Sequence, residues 1–145
     1  MIILETNIIS EMMKSSPSLS VMAWIDQQHA SDLFITTISI AEIAYGLRVL
    51  PIGKRRKMLE DAFYQSIRQA FEYRILNFDA LAADRYGQLM ADRKKLGKPL
   101  GVLDGQIAAI ASINQLKIAT RNIFDFSDCG LDLINPFLEM GSDSI

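Results

Sequence analysis

A chain of 145 residues, half of them hydrophobic and 22% charged, has the size and composition of one globular domain with its own core. The single cysteine, Cys129, excludes an internal disulfide and fits a reducing cytoplasm, and no apolar run approaches the roughly 18 residues of a membrane span. A net charge of −2 excludes a global basic field for nucleic acid, and Glu5 breaks what would be the apolar core of a leader peptide.

Ile2-Ile3-Leu4 is short, apolar and bounded by polar residues, which predicts a buried strand. Thr6 is placed to cap a helix running to about Lys14, and Ser15-Ser16-Pro17-Ser18 breaks it. Val21, Trp24 and Ile25 have helical spacing, fading near Gln28-His29, and Leu33–Thr36 reads as a second strand. From Ser39 an apolar stripe of Ile40, Ile43, Ala44, Leu47 and Leu50 predicts a helix, ended by Pro51-Ile52-Gly53. A long helix is expected from Lys54 to about Tyr73, then a strand at Ile75–Phe78 and a helix from Ala80 to Leu96. Gly97-Lys98-Pro99 stops that helix; another runs from Leu103 to about Leu116. Lys117–Thr120 reads as a fourth strand and Leu131–Ile134 as a fifth. Residues 1–140 thus read as a single domain and 141–145 as a loose tail.

Strands alternating with helices predict an α/β fold: a mainly parallel sheet of four to five strands with helices on both faces. In such sheets ligands sit outside the carboxyl ends of the strands. What stands there is acidic. Glu5 follows the first strand, Glu42 lies in the helix after the second, Asp104 opens the helix before the fourth, and Asn122 and Asp125 follow the fourth. Taken singly, each acid reads as an ordinary cap: Ser39 and Glu42 have capping-box spacing, and Asp104 suits a helix N-terminus. Capping does not explain why all four fall at such junctions, nor why Glu5 and Asp104 sit in otherwise apolar segments. Crowded carboxylates need a cation, and oxygen-only ligands suit Mg²⁺ or Mn²⁺ over zinc.

The stretches MIILETNIIS, TTISIAEIAYGL, LGVLDGQIAAIA, IATRNIFDF and LINPF resemble the PIN-domain family, and within it the VapC-type toxins of bacterial toxin–antitoxin pairs, including the FitB-like branch. The resemblance covers nearly the whole chain. It implies a PIN-like fold and a Mg²⁺- or Mn²⁺-dependent endoribonuclease that leaves a 5′-phosphate and a 3′-hydroxyl. It implies Glu5, Glu42, Asp104 and Asp125 as catalytic metal ligands. Thr6 would then touch substrate or support the site, Asn7 would hold neighbouring carboxylates, and Ser39 would steady Glu42. It further implies a homodimer and a VapB-like antitoxin whose tail lies across the groove near Met12, Met13, Trp24, Leu50 and Pro51, residues that also suit ordinary core packing, the reading preferred for Trp24. DNA would be met only through that antitoxin.

Two departures stand out. The family has Asp where this chain has Glu5, and the added methylene should displace or weaken the metal. Asn122 stands where some relatives carry a fourth acid; Asp125 would serve instead, or Asn122 would hold a water. An acidic site also needs flanking cations. Candidates are Arg121, the run Lys54-Arg55-Arg56-Lys57, and Arg93-Lys94-Lys95 with Lys98, the two runs reading first as solvated helix ends. Two other readings remain: a catalytically silent PIN fold used for binding, and a phospho-accepting signalling domain. The latter needs an acidic pair after the first strand, where this chain has Thr6-Asn7 beside Glu5. No glycine-rich phosphate loop follows any strand, against a dinucleotide-binding enzyme.

Overall fold

In the computed structural model, which describes residues 1–138, the opening apolar triplet is β1 (Ile2–Leu4). There follow α1 (Thr6–Met13), α2 (Leu19–Asp26), β2 (Leu33–Thr36), α3 (Thr37–Val49) and α4 (Lys54–Asp61). A π-helical turn (Ala62–Ile67) leads into the short α5 (Arg68–Ala70) and β3 (Ile75–Leu76). Then come α6 (Ala80–Lys95), α7 (Val102–Asn114), β4 (Lys117–Ala119), a 3-10 turn (Ile123–Phe126) and β5 (Leu133–Ile134). The expected tail, 141–145, lies outside the described residues. No described helix is long and apolar enough to cross a membrane.

The five strands pair in the order β3-β2-β1-β4-β5, every pair parallel. Successive strand side chains point to opposite faces, so β1 feeds two cores. Ile2 and Leu4 pack with Ile8, Ile9, Val21, Ile43 and Phe63 on one face, while Ile3 packs with Leu89, Ile107, Ile110 and Ile118 on the other. Helices therefore cover both faces, as the alternation predicts. Trp24 is buried in the first core. Met12 and Leu50 lie partly buried against it.

Some boundaries differ from expectation. Thr6 is not the cap of α1: Glu5 is, its carboxylate accepting from Asn7 N–H. Likewise Ser39 does not cap α3; Thr36 does, its hydroxyl accepting from Ser39 N–H at 3.1 Å. Glu42 therefore sits in the second turn of α3, outside any capping box. The long helix expected over 54–73 is interrupted by the π turn. Its buried residues Phe63, Ile67 and Phe71 recur every four positions, and a 3.6-residue helix would let such a stripe drift; one wider turn brings it back to the core.

One buried arginine ties the far end of α6 to the segment after β4. Arg93 Nε donates to the Lys98 carbonyl at 2.7 Å, and Nη1 donates to the carbonyls of Ser127 at 2.7 Å and Asp125 at 3.1 Å. Losing those donors leaves carbonyls short of partners, a cost of roughly 1–3 kcal/mol each where water cannot enter. Arg93→Met should therefore lower unfolding stability by about 2 kcal/mol in a denaturant titration. An unchanged midpoint would show that water replaces the guanidinium without penalty.

Candidate active site

β1 has β2 on one side and β4 on the other, so chain connections leave it in opposite directions. Such a switch point opens a crevice at the carboxyl ends of the strands. The crevice here is an open cleft of about 430 Å³. Glu5 from the end of β1, Glu42 from α3 and Asp104 from the first turn of α7 all line it. Thr6, Asn7, Ser10, Glu11 and Lys14 form the α1 wall, and Arg121, Asn122 and Phe137 the wall beyond β4.

Each carboxylate is held differently. Glu5 is buried, and its Oε2 accepts from Asn7 N–H at 3.2 Å and from the Thr120 hydroxyl at 3.4 Å. Glu42 Oε1 accepts from the Thr6 hydroxyl at 2.9 Å. Since Thr6 gives its proton to Glu42, the Ser39 hydroxyl, 2.8 Å away, donates to Thr6, and Thr36 donates in turn to Ser39 at 3.5 Å. Three hydroxyls thus point one way, toward the acid, and each polarises the next.

Burial pushes the Glu5 carboxyl up from 4.5 to about 7, against the pull of Asn7 N–H and with the added repulsion of Asp104 and Glu42. Asp104 is raised too, by burial first and then by Asp125 and Glu42. The carboxylates are therefore close enough to feel one another. Asp125 acts on Asp104 by charge, but Asn122, not Asp125, lines the cleft.

Two expected supporting roles are corrected. The Asn7 side chain does not hold the carboxylates: its oxygen accepts from Arg121 N–H at 3.3 Å, and the hold on Glu5 comes from the Asn7 backbone. Ser39 does not bond Glu42 directly but acts through Thr6. Thr120 carries no expected role in the sequence. It is fully buried, bonds Glu5, and accepts from Asn122 N–H at 3.0 Å. Its one local signal is a hydroxyl ending the apolar run of β4.

The donor set suits a hard divalent cation: three carboxylates on one cleft, with Glu5 driven toward protonation by burial first and by the neighbouring Asp104 and Glu42 charges second. His29 precedes a 3-10 turn before β2, and Cys129 is buried beside Arg93. As the side chains lie, no three acids among the described residues are gathered around one point, because Glu5 and Glu42 are turned to their own hydrogen-bond donors. The two basic runs stand outside the cleft. Arg56 pairs with Glu60 and Lys57 with Asp61 along α4, Lys98 pairs with Asp128, and Arg93 is buried.

The family model for the PIN domain matches residues 2–127. The chain is 42% identical to the VapC ribonuclease Y4jK of Sinorhizobium fredii, over 94% of this chain and 98% of that protein. It is 36% identical to Toxin FitB of Neisseria gonorrhoeae, over 94% and 99%. The crystal structure of FitAcB from Neisseria gonorrhoeae superposes with a TM-score of 0.88 at 36% identity, covering 94% of this chain and 99% of that one. With a wholly parallel sheet, three acids at its carboxyl edge and this likeness over almost its full length, the chain belongs to the PIN-domain family, in the branch of VapC and FitB.

Proposed function

We propose that this chain is a metal-dependent endoribonuclease, the toxin of a type II toxin–antitoxin pair acting in the bacterial cytoplasm. The convergence of Glu5, Glu42 and Asp104 on one cleft, in a chain 42% identical to a VapC ribonuclease, carries the reading. Glu42, Asp104 and Glu5 would hold Mg²⁺ or Mn²⁺, with Asn122 or Asp125 at the margin. When bound, such an ion supplies positive charge for the developing phosphate and lowers the pKa of water. The chain's own part is positioning. Thr6 aims Glu42 through the hydroxyl relay, the first turn of α7 brings Asp104 to the cleft, and Thr120 with Asn7 N–H fixes Glu5.

The test is cleavage of a mixed RNA pool with Mg²⁺ or Mn²⁺ and with chelator, by wild type and Asp104→Asn. Metal-dependent cleavage that falls at least about a hundredfold in the variant is expected, as is loss of weak, roughly millimolar metal binding in calorimetry. Equal cleavage by both proteins, or cleavage that survives chelation, would sink the assignment. One observation favours the silent-fold reading: the Glu5 carboxylate is buried and turned back to cap α1. Complete absence of cleavage beside intact metal binding would establish it.

The partner in this reading is a small VapB-like antitoxin. Beside the cleft runs a groove in which the partly exposed Leu50 and Leu59 stand over the buried Met13, Ile43 and Leu47, with Lys14, Glu42 and Arg55 also in its lining, a surface fit for a tail with both apolar and charged side chains. The toxin alone should be a homodimer; light scattering that gives the monomer mass at every accessible concentration would contradict this.

A further inference from the structure

An acidic cleft repels RNA, so cations must offset it, and two line it: Lys14 and Arg121. We propose that these two side chains form a clamp for backbone phosphates of the substrate strand, with Glu11 as the residue that positions Lys14. The inference rests on the ribonuclease reading and names how that site takes its substrate.

Lys14 follows the last turn of α1, about 13 Å along the helix from Glu5 at 1.5 Å per residue, so it meets the strand away from the point of cutting. Its Nζ lies 2.8 Å from Oε2 of Glu11. Glu11 is only 6% exposed, and that oxygen has no hydrogen bond; the ammonium is its charge partner, set off the hydrogen-bond direction. Acids are seldom buried on a short surface helix, and this one is buried on the wall of the cleft. The pair leaves Lys14 more than half exposed, with donors free for a second anion.

Arg121 stands on the facing wall. Its backbone is tied to Asn7 and Asn135, and its guanidinium lies 4.0 Å from the centre of the Phe137 ring. The ring takes one face of the fork and leaves its N–H edge for phosphate oxygens. Both cations are therefore held in place before substrate arrives, which lowers the ordering cost of binding.

The test measures binding of a single-stranded RNA oligonucleotide in chelator, which withholds the metal that cleavage needs, across a salt series, and steady-state cleavage of the same RNA with Mg²⁺. Lys14→Gln and Arg121→Gln should each weaken binding about tenfold and flatten the log–log salt dependence by about 0.7, one phosphate contact on a single strand. KM should rise by a similar factor with kcat within about twofold. Lys14→Arg should restore the slope. Glu11→Gln should weaken binding while keeping the slope, because the charge remains and its anchor is lost. Should Lys14→Gln unfold through its orphaned acid, the double variant Glu11→Gln/Lys14→Gln removes that burden and should show the same flattening. Lys117→Gln, at the opposite end of β4, should change nothing. An unchanged slope in both clamp variants overturns the clamp alone, as does an equal loss in Lys117→Gln. A wild-type chain that neither binds nor cuts RNA with either metal overturns the ribonuclease reading and the clamp together.

Discussion

Glu5→Asp cleaves RNA about a hundredfold faster than wild type and binds Mg²⁺ more tightly, if the site is built for the shorter acid. In the present chain the extra methylene lets the carboxylate swing back onto Asn7 N–H and beneath the Thr120 hydroxyl. There it is only 6% exposed, whereas Glu42 and Asp104 open to the cleft. Aspartate caps helices at least as well, so α1 loses nothing, and its carboxylate cannot retreat as far. Misplacement by about 1 Å costs on the order of a hundredfold where metal, water and phosphate must align. The expected order of rates at several Mg²⁺ and Mn²⁺ concentrations is Asp, then Glu, then Ala. A slower Asp variant would mean that the site is adapted to Glu. Equal, clear cleavage by all three would remove position 5 from the mechanism.

The metal-free protein should lose about 3 kcal/mol of stability between pH 4.5 and pH 8, at roughly 1.4 kcal/mol for each pH unit that separates the folded and exposed pKa of Glu5. Glu5 sits at about 7 in the folded chain and near 4.5 when exposed. Its folded pKa is the higher, so the folded chain binds the proton more tightly. The stabilisation is complete below pH 4.5 and disappears as pH rises through 7. The raised Asp104 adds in the same direction. Denaturant titrations of chelated protein at pH 5 and pH 8 measure the loss. Glu5→Gln should flatten it, and Mg²⁺ at ten times its Kd should restore about 1.4 kcal/mol to wild type at pH 8, since a bound cation replaces the missing proton. Parallel pH curves for wild type and Glu5→Gln would show that Glu5 is not strained by its burial.

Much of this was legible because the signals were local. Ile2–Leu4 and Leu33–Thr36 are apolar runs of strand length between polar breaks, and both strands have those bounds. Glu5, Glu42 and Asp104 follow from one rule about strand ends, and the fold brings all three to one cleft; Asp125, expected as the fourth acid, is absent from its lining, where Asn122 stands instead. What was misread depends on partners distant in sequence. Thr6 looked like a cap, but its hydroxyl serves Glu42, 36 positions away. Ser39 looked like a capping-box residue because Glu42 lies three residues on, while Thr36 had already taken that place. Thr120 offered only a hydroxyl at the end of an apolar run, since its partner Glu5 lies at the other end of the chain. The π turn follows from how a four-residue stripe meets the core, which no residue near 62–67 announces.

The pairing of the first strand with the fourth has a consequence for synthesis. Ile3 is in register with Ile118, and Glu5 meets a partner 115 positions later. A ribosome adding about 5–20 residues per second makes Glu5 roughly 6–23 seconds before Thr120. Through that interval β1 lacks one neighbour, and α7, which brings Asp104, arrives late. A chain that ends before β4 therefore carries Glu5, Glu42 and Asp104 without the strand that flanks β1 and without the Thr120 hydroxyl that holds Glu5.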